Sequence, residues 1–143
     1  MAYIKMYRIT KDCGKKIEAI MNEKKTGDSE LIYKFTKGEC PCQLESAYHI
    51  VQRFPVDEYL TPEVAHEIGR QFAMSILKDF HDYVVATHTH SKVLHNHLIF
   101  SSTSMKEEEN YCKNYEKALY KLVVMASNEC CRMHGLSTIP SEE

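Results

Sequence analysis

The chain has no apolar run near the roughly 18 residues needed to cross a bilayer, and its start, Met1-Ala2-Tyr3-Ile4-Lys5, lacks the apolar stretch of a secretion signal. The expected location is the cytoplasm, with no membrane partner. There is also no Cys-x-x-Cys pair. Cys13, Cys40, Cys42, Cys112, Cys130 and Cys131 form neither a disulfide framework nor a zinc-finger pattern, so reduced thiols are expected. Cys40-Pro41-Cys42 would need a second ligand pair to hold a soft metal, and none stands at recognisable spacing. Nor is there a surplus of positive charge: 18 Lys and Arg against 20 Asp and Glu leave a net charge of −2. Coating nucleic acid through bulk charge is thereby excluded, and any DNA contact must be local. Repeats and low-complexity tracts are missing too.

What is present suffices for one ordinary core: 143 residues, 43% hydrophobic and 27% charged. Residues 3–9 alternate around Tyr3, Ile4, Met6, Tyr7 and Ile9 and predict a strand. A short helix over 14–22 carries Ile17, Ile20 and Met21, and a turn at Gly27-Asp28 leads to a strand over 31–36. Another strand covers Ala47 to Phe54. The clearest helix runs from Thr61 to Leu77: Val64, Ile68, Phe72 and Ile76 recur every four residues beside Ala65, Gly69, Ala73 and Leu77. Thr61 is its cap and Pro62 suits its first turn. Tyr83 to His88 and Leu94 to Ser101 read as a hairpin. The last helix, Asn114 to His134, places Tyr115, Leu119, Leu122, Val123, Ala126, Cys130 and Met133 on one face and stops at Gly135. The hairpin favours an α+β fold, an antiparallel sheet with helices packed on it, over a doubly wound parallel sheet.

Four of the eight histidines fall between His88 and His97. Side chains alternate along a strand, so His88 and His90 share one face, as do His95 and His97. With an even connection, such as Ser91 to Leu94, His88 stands opposite His97 and His90 opposite His95, and all four project from the same face. Opposed Cβ atoms lie about 4.5 to 5.5 Å apart and diagonal ones about 7 to 8 Å, close enough for imidazoles to converge on an ion. Three neutral imidazoles supply three lone pairs and leave positions open, as catalytic sites do. Zinc, nickel, cobalt or manganese suits such donors, magnesium is a further occupant in a cell, and the sequence does not choose among them. The plain alternative is a solvent-facing hairpin whose histidines are incidental. Candidate basic groups for DNA are Lys5, Arg8, Lys11, Lys15, Lys16, Lys24, Lys25 and Lys92, against the bland alternative of a solvated surface.

Tyr83-Val84-Val85-Ala86-Thr87-His88, followed by Leu94-His95-Asn96-His97-Leu98-Ile99-Phe100, closely resembles the third motif of mobilisation and conjugation relaxases (MobA/VirD-like) in the histidine-hydrophobe-histidine (HUH) endonuclease superfamily. His49-x-x-Gln52-x-Phe54, Leu60 to Gly69 and Gly135-Leu136-Ser137 also resemble segments of relaxases from Gram-positive mobile elements, in the same order. The resemblance implies a relaxase fold and a single nicking domain over 1–143, shortened relative to members that continue with DNA-clamping segments. It implies that His88, His95 and His97 bind a divalent ion, and that a tyrosine attacks single-stranded or hairpin DNA at an origin of transfer to leave a phosphotyrosyl adduct. Plasmid or transposon mobilisation, with accessory mobilisation proteins as further partners, is the implied setting.

Two positions depart from the family. The residue two after the first histidine is usually aspartate and here is His90, a candidate fourth ligand or supporting partner. The nucleophile position, in Ile17-Glu18-Ala19-Ile20-Met21-Asn22, is Ala19. Alanine cannot form a phosphodiester, so cleavage deficiency is expected of this chain. The alanine is read as a substitution that traps an uncleaved complex, as the mark of a relative that binds an origin or hairpin without cutting, or as a sign of a nucleophile from elsewhere. For the last, Tyr3, Tyr7, Tyr48, Tyr111 and Tyr115 are the candidates. Lys24, Lys25 and Arg53 are the expected DNA contacts. A third class, a hydrolase unrelated to DNA that uses metal-bound water, would need a general base, for which only Glu67 or Asp82 is on offer.

Overall fold

A computed structural model describes residues 3–21, 30–37, 47–55, 60–77, 83–90, 93–101 and 113–139. In chain order the elements are β1 (Tyr3–Ile9), α1 (Cys13–Met21), β2 (Glu30–Lys37), β3 (Ala47–Arg53), α2 (Pro62–Leu77), β4 (Tyr83–His90), β5 (Val93–Ser101) and α3 (Lys113–Met133). The five strands form one sheet in the order β1-β3-β5-β4-β2, with every neighbouring pair antiparallel. The expected α+β architecture is the one observed.

The hairpin β4–β5 lies in the interior of the sheet, which explains the uninterrupted apolar start of β4. Tyr83, Val84, Val85 and Ala86 are all buried because both faces are covered. One face carries Tyr48, Ile50, Tyr83, Val85, Leu98 and Phe100, over which α2 and α3 pack Ala65, Ile68, Phe72, Leu119 and Val123. The other face carries Ile9, Ala47, Val84, Ala86 and Ile99, and α1 lays Cys13 and Ile17 on it.

Local signals account for the ends of the helices. The Thr61 hydroxyl accepts from the Val64 amide at 3.2 Å and caps α2. Beyond α3, Gly135 adopts φ +73°, and the amides of Gly135 and Leu136 donate to the carbonyls of Arg132 (3.1 Å) and Cys131 (2.8 Å). That is the paired closure that a left-handed residue allows at a helix C-terminus. One part of the α3 expectation fails. Leu122 and Met133 are 49% and 68% exposed, and Ser127 and Cys131 are buried in their place. The buried Leu119, Val123, Ala126, Ser127, Cys130 and Cys131 share one side of the helix, and Leu122 and Met133 fall beyond its edge. None of the described cysteines forms a disulfide. The Gly27-Asp28 turn and Cys40-Pro41-Cys42 lie outside the described residues.

Candidate metal centre

Strand alternation sends His88, His95 and His97 to the α1 side of the sheet, and Thr87 and Asn96 to the α2 side. The expected pairing is off by two residues. His88 stands opposite His95 and His90 opposite Val93, while His97 faces Ala86. The strands run on to His90 and Val93, so two residues rather than four connect them. Because two is also an even number, parity survives and His88, His95 and His97 keep their common face.

The three rings meet closely. Ring centroids are 5.6 Å apart for His88 and His95, 5.0 Å for His88 and His97, and 4.9 Å for His95 and His97, all in edge-on arrangements. One nitrogen from each lies within 4.8 Å of the others. The rings are 1%, 3% and 7% exposed, so water does little to stabilise a positive charge on any of them. Burial foremost, then His49, His95, His88 and Arg53 beside it, push His97 down to about 2 from an ordinary value near 6.5. Neutral imidazoles with convergent lone pairs are what a divalent transition ion requires, so the donor set fits a three-histidine site with open positions.

Behind the triad, on the opposite face, runs a buried polar chain. Asn96, between two of the histidines, donates to Gln52 Oε1 at 3.0 Å and to the Ala65 carbonyl at 2.8 Å. Its Oδ1 accepts from the Thr87 hydroxyl at 2.5 Å. Gln52 passes the chain to Ser127 (2.8 Å), and Thr87 Oγ1 lies 2.8 Å from His66 Nδ1. Burial, with Arg70 nearby, lowers the pKa of His66, and Glu67 partly opposes this. Sequence reasoning did not find this network. The polar residues at alternate positions, Gln52, Thr87 and Asn96, were visible, but which strands adjoin was not.

The other expected site residues divide. Ala19 is exposed on α1, the helix seated on the triad's face of the sheet. Arg53 is half-buried on β3, directly opposite His95 and on the same face. Lys5, Arg8, Lys11, Lys15 and Lys16 are exposed. Tyr48 is 1% exposed and belongs to the opposite face, which removes it as a substitute nucleophile. Tyr7 is exposed on the triad's side. Glu67 sits on α2, across the sheet from the triad, and accepts from Gln71 at 3.3 Å, so it is no general base there. Lys24, Lys25, Asp82, Lys92 and Tyr111, and the side chains of Tyr3, His90 and Tyr115, lie outside the described residues. His49, singled out above only within a motif, proves to touch His97.

Comparison with known proteins gives this geometry a context. The family model "Relaxase: MobA/VirD2-like, nuclease domain" matches residues 12–136. The group II intron-interrupted relaxase LtrB of Lactococcus lactis subsp. cremoris (strain MG1363) is 43% identical over 58 residues, 41% of this chain and 10% of that protein. Protein rlx of Staphylococcus aureus is 33% identical over 91 residues, 64% of this chain and 28% of that one. The aligned regions thus span a tenth to about a quarter of these relatives' lengths. A solved structure described as the "Molecular Basis of Vancomycin Resistance Transfer in Staphylococcus aureus" superposes with a TM-score of 0.64, covering 100% of this chain and 99% of that one at 13% identity, a likeness of fold. No helix among the described residues is long and apolar enough to cross a membrane. With the family model spanning most of its length, this chain belongs to the MobA/VirD2-like relaxases and carries their nuclease domain.

Proposed function

We propose that residues 1–143 act as one relaxase nicking domain for plasmid or transposon mobilisation. It would engage single-stranded or hairpin DNA at an origin of transfer in the cytoplasm, alongside accessory mobilisation proteins. As the sequence stands, it would grip the strand without cutting it. The observation that carries this reading is the convergence of three buried imidazoles on the sheet face that α1 also covers, with position 19 exposed on that helix.

His88, His95 and His97 would hold the ion, each through one nitrogen. When bound, the ion would supply Lewis acidity at the scissile phosphate and offset the charge gathered in the transition state. The protein's own groups do the rest. Arg53, opposite His95, offers a guanidinium to phosphate oxygens on the same face, and Lys24 and Lys25 add charge just after α1. The exposed Tyr7 ring is available for a base to stack on.

The Ala19 methyl has no oxygen to attack with. In Ala19→Tyr, the tyrosine Oη would bond to phosphorus while the bond from phosphorus to a deoxyribose oxygen breaks. The tyrosine O–H bond breaks, the departing oxygen takes up a proton in its turn, and the phosphotyrosyl bond conserves the energy for rejoining. With Mn2+ and an origin oligonucleotide, Ala19→Tyr should yield a cut strand and a denaturation-resistant protein–DNA adduct. Adding His95→Ala should abolish both. An Ala19→Tyr protein that binds the oligonucleotide but never cuts it would select a second reading, favoured by Ala19 itself, of a natural binding-only relative. Failure to bind DNA at all would sink both.

A further inference from the structure

His49 is on β3, the strand beside β5, and its side chain is 8% exposed on the triad's face. Its Nε2 lies 2.8 Å from His97 Nδ1, with the ring centroids 5.0 Å apart and the planes inclined by 29°, so the two rings meet edge to edge. On its far side the Tyr7 ring stands 5.7 Å away, limiting how His49 can swing. The cluster of nitrogens able to share one ion contains His88, His95 and His97. His49 therefore touches a ligand without belonging to the ligand set.

A neutral imidazole carries one N–H and one lone pair, and the partner of one nitrogen decides the role of the other. If His49 donates to His97 Nδ1, the proton of His97 must sit on Nε2, and neither nitrogen is left to bind metal. If His97 donates from Nδ1 and His49 accepts, Nε2 of His97 is a lone pair. Only the second arrangement is compatible with a metal centre that keeps the observed 2.8 Å contact.

We infer that His49 is a positioning residue that accepts the Nδ1 proton of His97, fixing the tautomer and ring orientation that present Nε2 of His97 to the metal. Such partners raise ligand basicity, and their loss typically weakens metal binding by about 10- to 100-fold. The inference rests on the metal-centre reading above. It adds that one ligand is oriented from a third strand, so that β3, β4 and β5 all contribute to one site.

The test uses Co2+ as the probe, read by calorimetry and by the visible spectrum of the bound ion, with nitrogen NMR of the histidine rings. In the Co2+-free protein loaded with diamagnetic Zn2+, His97 should show a protonated Nδ1 and a ligated Nε2. Ligation through Nδ1 would overturn the inference, whatever the variants do. His49→Phe keeps an aromatic ring and removes the acceptor, and Co2+ affinity should fall at least 10-fold with a changed visible spectrum. His49→Gln, whose amide oxygen can accept the same proton, should recover part of that loss. Wild-type affinity and spectrum in both variants would overturn the role of His49 while leaving the metal site intact. Co2+ binding that His95→Ala does not affect would instead reject the metal-centre reading itself.

Discussion

His97 shows how burial turns a common residue into a reagent. Its neighbours in the site are other imidazoles and a guanidinium, so nothing there rewards a proton. The folded ring is pushed down to about 2, whereas in the unfolded chain it titrates near 6.5. The unfolded state therefore takes up the proton first as pH falls. The stability tied to this ring is complete above about 6.5 and is lost progressively below it. In chelator, the urea midpoint should drop between about pH 7 and 4.5, and His97→Gln should flatten that slope. An equal slope in the variant would assign the pH dependence to other groups. Gly69 makes a different residue-scale demand. A Cβ there would lie 2.7 Å from Asn96 Nδ2, 2.8 Å from its Cγ and 3.0 Å from Val85 Cγ1. Asn96 is held by three hydrogen bonds and cannot move aside cheaply. Gly69→Ala should lose about 1–3 kcal/mol in equilibrium unfolding, the usual range for an overpacked core.

At the scale of the element, β5 serves both sides of the sheet at once. His95 and His97 face α1, and Asn96 between them ties β5 to β3, β4 and α2. Asn96→Leu would leave Gln52 Oε1 without its buried partner, a loss of about 1–3 kcal/mol, and would also remove the Asn96 bonds to the Ala65 carbonyl and to the Thr87 hydroxyl, which keeps His66 beside it. An urea titration should register about 3 kcal/mol or more, and Mn2+ affinity should weaken although Asn96 does not face the site. Undiminished affinity in a destabilised variant would show that the triad does not depend on this support. These elements differ in how far the sequence disclosed them. The helix over 61–77 was legible because Thr61, Pro62 and the four-residue apolar repeat all agree. The shared face of the histidines was legible because alternation needs only an even connection. Their partners were not, since the loop length that sets them is a local choice the residue pattern does not constrain. The contact of His49 with His97, 48 residues apart, depends on strand order. Strand order is decided by the packing of the whole sheet, and no spacing in the sequence encodes it. The burial of Ser127 instead of Leu122 on α3 has the same origin, because Gln52 waits opposite.

For the whole molecule, an ion bound only by the folded triad should act as a stabilising ligand. At about 100 times its dissociation constant it adds about 2.7 kcal/mol. For a domain of this size that corresponds to a rise in melting temperature of about 5–10 °C. Scanning calorimetry should show this rise with Mn2+ and its reversal by a chelator. An equal rise in His95→Ala would mean that Mn2+ binds elsewhere. The two faces of the sheet also divide the labour of the molecule: α2 and α3 close one side into core, while α1, Ala19, Arg53 and the histidines occupy the other. The order β1-β3-β5-β4-β2 places the ligand-bearing strands inside the sheet, hydrogen-bonded along both sides. Local opening begins where backbone amides have fewest partners, so β1 and β2, the edge strands among the described residues, should open before β4 and β5. Solvent deuterium would enter the periphery many times before it reached the amides of His88, His95 and His97, and the centre's geometry would outlast most of the fluctuations that the rest of the sheet undergoes.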